Sequence, residues 1–136
     1  MDQSRAILYI EDHYHSRRLV QKVLGAAGYT VLTAEDAVTG WKLIKQHRPP
    51  LVLVDIALPG ELDGLEVVRR VRGDPALSSI HIIALTASAM LGDKERFLAA
   101  GCDDYLPKPL NIQHLLQRVT AFFEQEEHRH GNDPDL

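Results

Sequence analysis

Leu51-Val52-Leu53-Val54-Asp55-Ile56-Ala57-Leu58-Pro59-Gly60 is an apolar run that ends in a carboxylate and then in a turn. Branched apolar residues set between Pro49-Pro50 and Pro59-Gly60 read as a short buried strand. Asp55, at the carboxyl end of that strand, has left the core and stands at the mouth of the sheet, where open α/β sheets bind ligands. Ala6-Ile7-Leu8-Tyr9-Ile10 ends the same way, in Glu11 and Asp12. Two strands therefore deliver three acids to one edge.

Around that run, strand-like and helix-like stretches alternate five times. The spacing predicts strands over Ala6–Ile10, Thr30–Ala34, Leu51–Asp55, Ile80–Leu85 and Asp104–Leu106. Helices are expected over Tyr14–Ala27, Asp36–Gln46, Gly64–Val71, Met90–Ala100 and Ile112–Glu124. The first helix turns Leu19, Val20, Val23, Leu24 and Ala27 inward, and the last turns Leu115, Leu116, Val119, Phe122 and Phe123 inward. Gly40 weakens the second helix by up to about 1 kcal/mol relative to alanine. Strand–helix units repeated in this way argue for a parallel sheet with helices on both faces and right-handed crossovers. The fold class is α/β, a doubly wound five-stranded parallel sheet in the flavodoxin-like order 2-1-3-4-5. That order comes from the class of sheet, not from the residues. It sets the first and third strands side by side and so brings Asp12 and Asp55 together.

At 136 residues the chain is one domain that buries roughly two-thirds of its unfolded surface. Residues 1–125 read as the folded domain and 126–136 as a polar, fraying tail. The net charge is −4 and no basic run exceeds two residues, which argues against nucleic acid as a partner. The single cysteine, Cys102, fits a reducing compartment and reads as a small buried hydrophobe. No apolar stretch approaches the ~18 residues of a membrane span. The amino terminus lacks the layout of a secretory signal. The expected location is the cytoplasm.

Three carboxylates a few Å apart cannot all stay ionised unaided, because like charges raise one another's pKa. A hard divalent cation removes the conflict. Mg2+ prefers octahedral oxygen coordination, keeps several waters and takes few carboxylates. Asp12 and Asp55 are read as its direct ligands, Glu11 as acting through water, and the backbone carbonyl of Ala57 as a further protein ligand. Thr86 follows Ile82-Ile83-Ala84-Leu85, and Lys108 follows the fifth strand in Leu106-Pro107-Lys108-Pro109. A carboxylate nucleophile, a metal, a lysine and a hydroxyl suit phosphoryl transfer, where catalysis is mostly positioning and charge stabilisation. Asp55 is then the nucleophile that forms an aspartyl phosphate, with Lys108 and Thr86 holding its oxygens.

In this order, each at a strand end, these residues resemble the response-regulator receiver domain of two-component signalling, in its stand-alone single-domain form. The resemblance runs from about Ala6 to Phe123 and is carried by Glu11-Asp12, Asp55 with Pro59 and Gly64, Thr86-Ala87, Ala100-Gly101-Cys102-Asp103-Asp104-Tyr105 and Lys108-Pro109. It implies that Asp55 takes a phosphoryl group, with Mg2+, from the phosphohistidine of a sensor histidine kinase or a histidine phosphotransfer protein. It implies that Lys108 and Thr86 contact that group and that the Lys108-Pro109 bond is cis. It also implies that Tyr105 is a switch aromatic, turning inward as Thr86 moves toward the phosphate and remodelling the surface of the fourth helix, fifth strand and fifth helix. Family members can form homodimers through that surface. The chain departs from the family pattern in its loop Gly60-Glu61-Leu62-Asp63, one residue longer than usual, and in Leu58, where methionine is common. Ala57 and Ser88 stand at the positions that tune phosphoryl lifetime in the family.

Other charged and aromatic residues read as structural. His13 and His15 are surface residues at a helix start, and His128 and His130 belong to the solvated tail. Arg69, Arg70 and Arg72 form the wet face of the third helix, and Trp41 is packing. No glycine-rich phosphate loop is present, so a nucleotide site has no support. The expected function is a phosphorylation-controlled binding module, not an enzyme, whose output is a downstream effector protein. One alternative is a phosphorelay intermediate that passes its phosphoryl group to a histidine phosphotransfer protein. Another is an aspartyl-nucleophile phosphatase, against which Ala57 counts, because such enzymes place an acid there. A flavin module rests on fold analogy alone.

Overall fold

A computed structural model describes residues 5–87 and 92–131, with side chains described as far as residue 127. Ser88 and Met90 lie outside the described residues, as do the side chains of His128 and His130. The elements run β1 (Ala6–Ile10), α1 (Tyr14–Ala26), β2 (Thr30–Ala34), α2 (Ala37–His47), β3 (Leu51–Asp55), α3 (Gly64–Gly73), β4 (His81–Thr86), α4 (Asp93–Ala100), β5 (Asp104–Pro107) and α5 (Ile112–Gly131). All strand pairs are parallel, in the order β2-β1-β3-β4-β5. The expected fold and strand order are therefore those observed.

Side chains alternate across a strand with a period of two, and this alternation divides the core. Leu8, Ile10, Val52, Val54, Ile82 and Ala84 pack on one face, against Ile44, Val68, Val71 and Phe97 of α2, α3 and α4. Ile7, Tyr9, Leu51, Leu53, Ile83, Leu85 and Leu106 pack on the other, against Val20, Leu24, Leu115, Val119 and Phe123 of α1 and α5. Continued past the strand ends, the same alternation assigns Glu11, Asp55 and Lys108 to the α1/α5 side.

Several elements differ from expectation at their edges. Leu19 is exposed, because Val20 and Leu24 are the α1 residues that meet the sheet. Ile80 belongs to the turn before β4, with its N–H bonded to Leu77 O at 3.1 Å, and the strand begins when His81 N–H reaches Pro50 O at 3.0 Å. The helix α5 continues to Gly131, past the point where fraying was expected. Phe123 anchors its inner face, and Gln125-Glu126-Glu127 contain no helix breaker. Arg72 is the clearest correction. It is not on a wet face but lies between α3 and the turns that precede β4 and β5, bonded to Ser78 O, Ile80 O, Gly101 O and Asp103.

Two glycines mark close approaches that position the acidic edge. A Cβ at Gly40 would lie 2.4 Å from Ile10 Cδ1, so the glycine that weakens α2 also lets it sit flush on β1. A Cβ at Gly64 would lie 2.2 Å from Asp55 O, so α3 starts directly against the carboxyl end of β3. The longer loop before α3 ends in Asp63, whose Oδ1 accepts from Glu66 N–H at 2.9 Å and caps the helix. Among the described residues, no helix is long and apolar enough to cross a membrane.

Candidate functional site

The carboxyl ends of β1, β3 and β5 converge on one cluster. Lys108 Nζ donates to Asp55 Oδ2 at 2.8 Å and lies 2.6 Å from Glu11 Oε1. Asp55 Oδ1 accepts from Ala57 N–H at 2.9 Å, which fixes the carboxylate in its turn. Glu11 is fully buried, and Asp55 is 4% exposed. Asp12 is exposed at the rim, yet one ligand atom each from Glu11, Asp12 and Asp55 lies within 4.8 Å of the others. Arg17 Nη1 donates to the carbonyl of Glu11 at 2.8 Å and ties α1 to the end of β1. The Lys108-Pro109 bond is cis.

The charges perturb one another in a definite order. Burial pushes Glu11 up to about 7, aided by its hydrogen bonds to Asp55 and Asp12 and opposed by Lys108. Burial alone would raise Asp55, but hydrogen bonds from Glu11, Lys108 and the Ala57 N–H outweigh it and hold that carboxyl below its ordinary value. Burial would lower Lys108, but its bonds to Asp55 and Glu11 raise it. Without a metal the site thus favours an ionised Asp55 and a charged Lys108, and Glu11 keeps a proton more readily than an ordinary glutamate. Three acids facing one lysine leave negative charge over, with oxygen donors alone. Hard divalent cations bind such donor sets.

The other residues singled out in the sequence lie nearby in different ways. Thr86 is buried at the end of β4, and its carbonyl accepts from Lys108 N–H at 2.7 Å. By strand alternation its side chain belongs with Ala84 to the α2/α3/α4 face. Tyr105 is half-buried and packs against the core of that same face, away from the side that carries Lys108. His13 and His15 are exposed and outside the acidic group. Cys102 is buried among apolar residues, and burial pushes its thiol up to about 11. The sequence reading overlooked Tyr9. Its hydroxyl donates to Glu11 Oε1 at 3.2 Å, and the two-residue spacing on a strand was the available signal.

Comparison with known proteins agrees with this geometry. Residues 7–120 match the response regulator receiver domain. The polar-differentiation response regulator DivK of Brucella anthropi is 33% identical over 118 residues, which cover 87% of this chain and 95% of that protein. A CheY-like receiver domain protein from Methanospirillum hungatei has the same fold, with a TM-score of 0.83 at 27% identity, over 92% of this chain and 98% of the other. The receiver domain of a sensor histidine kinase from Pseudomonas aeruginosa, solved with a magnesium ion in its active-site cleft, gives a TM-score of 0.79 at 31% identity, over 89% of this chain and 98% of that one. A sheet wound in this order, acids and a lysine at the ends of its first, third and fifth strands, and a match over most of its length are one finding: the chain belongs to the response regulator receiver domains.

Proposed function

We propose that Asp55 is the phosphoacceptor of this response regulator receiver domain and that its phosphorylation switches the binding of a partner protein. The observation that carries this reading is the Lys108 ammonium bridging Asp55 Oδ2 and Glu11 Oε1 at 2.8 and 2.6 Å. A carboxylate held ionised and fixed by Ala57 N–H is poised for attack. One of its oxygens forms the new O–P bond while the P–N bond of a partner's phosphohistidine breaks, and the departing imidazole takes up a proton. Asp12, Asp55 and the Ala57 carbonyl, with Glu11 acting through water, would hold Mg2+, which would neutralise the phosphoryl oxygens. Lys108 exchanges its carboxylate partner for a phosphoryl oxygen, and Thr86 donates its hydroxyl to another.

The donor is a histidine kinase or a histidine phosphotransfer protein, and the receiver of the signal is an effector protein. Thr86 and Tyr105 share the sheet face opposite to Lys108, so a pull on Thr86 is transmitted to the side where Tyr105 packs. Beside Tyr105 lies a groove of about 450 Å3 lined by Leu98, Pro107, His114 and Arg118, a surface fit to change its partner with the switch.

The test uses labelled acetyl phosphate with Mg2+. The parent chain takes up acid-stable, base-labile label, and Asp55→Asn takes up none while keeping its circular dichroism. Beryllium fluoride with Mg2+ shifts the Tyr105 resonances in the parent alone. Undiminished labelling of Asp55→Asn would falsify the acceptor assignment.

A further inference from the structure

Tyr9 is fully buried and is the largest of the fully buried side chains, yet nothing in the acceptor chemistry above calls for it. Its position in β1 places its ring in the α1/α5 core, and its hydroxyl leaves that core to donate to Glu11 Oε1 at 3.2 Å. The same oxygen takes Lys108 Nζ at 2.6 Å. Glu11 Oε2 makes a longer contact, 3.5 Å, to His13 N–H. Two donors thus grip one oxygen of that carboxylate.

The choice of glutamate gives this grip a purpose. A glutamate has one more rotatable bond than an aspartate and needs more restraint to hold a carboxylate in place. Backbone geometry restrains Asp55 through Ala57 N–H at 2.9 Å, whereas among the described residues the backbone donor to Glu11, His13 N–H, lies at 3.5 Å. Tyr9 also lines a small cavity of about 230 Å3 with Ser16, Leu19, Lys108 and Pro109. Its ring therefore lies beside the segment that carries the lysine.

We propose that Tyr9 is a positioning residue of the acceptor site: its hydroxyl clamps the Glu11 carboxylate against Lys108 and so fixes the acidic pocket for a divalent cation. The proposal rests on the reading of Asp55 as phosphoacceptor only for its effect on phosphorylation; its effect on cation binding stands apart. Groups that orient a metal site from behind typically change metal affinity or activity by about 10- to 100-fold when removed.

Tyr9→Phe removes a single oxygen and keeps the ring. Tyr29→Phe is the control, because Tyr29 belongs to the same apolar cluster and its hydroxyl meets Thr120 Oγ1 at 3.5 Å, away from the acids. Mg2+ titration followed by calorimetry, with no phosphodonor present, should show binding weakened about 10-fold in Tyr9→Phe and unchanged in Tyr29→Phe. In a Glu11→Gln background, Tyr9→Phe should weaken binding little further, because the clamp acts through that carboxylate. Labelling by acetyl phosphate at saturating Mg2+ should fall several-fold in Tyr9→Phe alone. Parent-level Mg2+ affinity in Tyr9→Phe overturns the proposal. So does an equal loss in both phenylalanine variants, or a Tyr9→Phe chain that fails to fold, since either makes the hydroxyl merely structural. If the parent binds Mg2+ yet takes no label, the acceptor reading fails while the Mg2+ comparison still decides the role of Tyr9.

Discussion

At the amino-terminal ends of the strands a guanidinium is enclosed, and at the carboxyl ends an ammonium is outnumbered. Arg72 Nε donates to Gly101 O at 2.8 Å, and its Nη1 to Ser78 O and Ile80 O at 2.9 and 2.7 Å. Its Nη2 meets Asp103 Oδ2 at 2.6 Å, and that carboxylate also accepts from Ile82 N–H at 2.8 Å. One charge faces one charge there, and carbonyls take up the remaining donors. Lys108, in contrast, faces Glu11 and Asp55 directly, with Asp12 at the rim. Charge that closes on itself ties elements together. Charge left over costs stability and is kept where something has to arrive.

The sharpest way to break this contrast is to remove Arg72. Arg72→Ala strips partners from three carbonyls and a carboxylate at once. The Arg72 side chain is 24% exposed and that of Asp103 38% exposed, so the cost comes mostly from the carbonyls left unpaired, about 3 kcal/mol in all. Urea denaturation should show that loss, while the folded protein keeps its labelling rate with acetyl phosphate. Arg72→Lys should recover little, because a single ammonium cannot span the fork of acceptors. A cost under about 1 kcal/mol, the range of exposed ion pairs, would mean that Arg72 is a surface residue after all and that the two ends do not differ in this way.

A smaller effect is expected where packing and site meet. Gly64→Ala puts a methyl group 2.2 Å from the carbonyl oxygen of Asp55. Backbone cannot yield as a side-chain tip can, so α3 must lift away from β3. Overpacking of this kind costs about 1–3 kcal/mol. Unlike the Arg72 variant, this one should also slow labelling, because the added methyl group presses on the backbone of the acceptor itself. Gly73→Ala, at the other end of the same helix with open space about its Cβ, is the control and should leave labelling unchanged. If Gly64→Ala loses stability but labels at the parent rate, the acceptor tolerates displacement, and its strict positioning is not a property of this contact.

The sequence made the acidic edge legible and the opposite edge illegible, for a physical reason. Glu11, Asp12, Asp55 and Lys108 each follow an apolar run, so the end of a hydrophobic pattern announces where they stand. Their mutual approach needed the strand order, which came from the class of fold and not from any residue. Arg72 follows Val71 on an amphipathic helix, where an arginine ordinarily reads as solvated. Three of its four acceptors are backbone carbonyls of the turns before β4 and β5, and carbonyls leave no trace in residue type. Tyr9 was hidden in a different way. Within Ala6-Ile7-Leu8-Tyr9-Ile10 it passes for one more apolar residue, and only the strand period of two, counted back from Glu11, relates its hydroxyl to the site. The run to Gly131 in α5 was missed because polar composition was read as fraying, although Phe123 holds the helix from within.

The smallest effect tests the unbalanced end itself, through pH. Glu11 is raised from an ordinary 4.5 to about 7, whereas Asp55 is lowered from 3.8 and Lys108 raised from 10.5. Of these three, only Glu11 changes charge between about pH 4.5 and 7. Its folded-state value lies above its unfolded one, so the folded chain binds the extra proton in that window. Its contribution to stability is full below 4.5 and is lost as pH rises through about 7. A cation does the reverse, since it needs the carboxylate ionised and must displace the proton. Apparent Mg2+ affinity should fall by up to ~10-fold per pH unit below about 7 and level off above it. Melting curves from pH 5 to 8, taken in Mg2+ and in EDTA, isolate this group from every other titration by their difference. That difference should grow as pH rises toward 7 in the parent and become flat in Glu11→Gln. A difference independent of pH in the parent would mean that Glu11 is already ionised in the metal-free fold, and that Lys108 by itself offsets the acids around it.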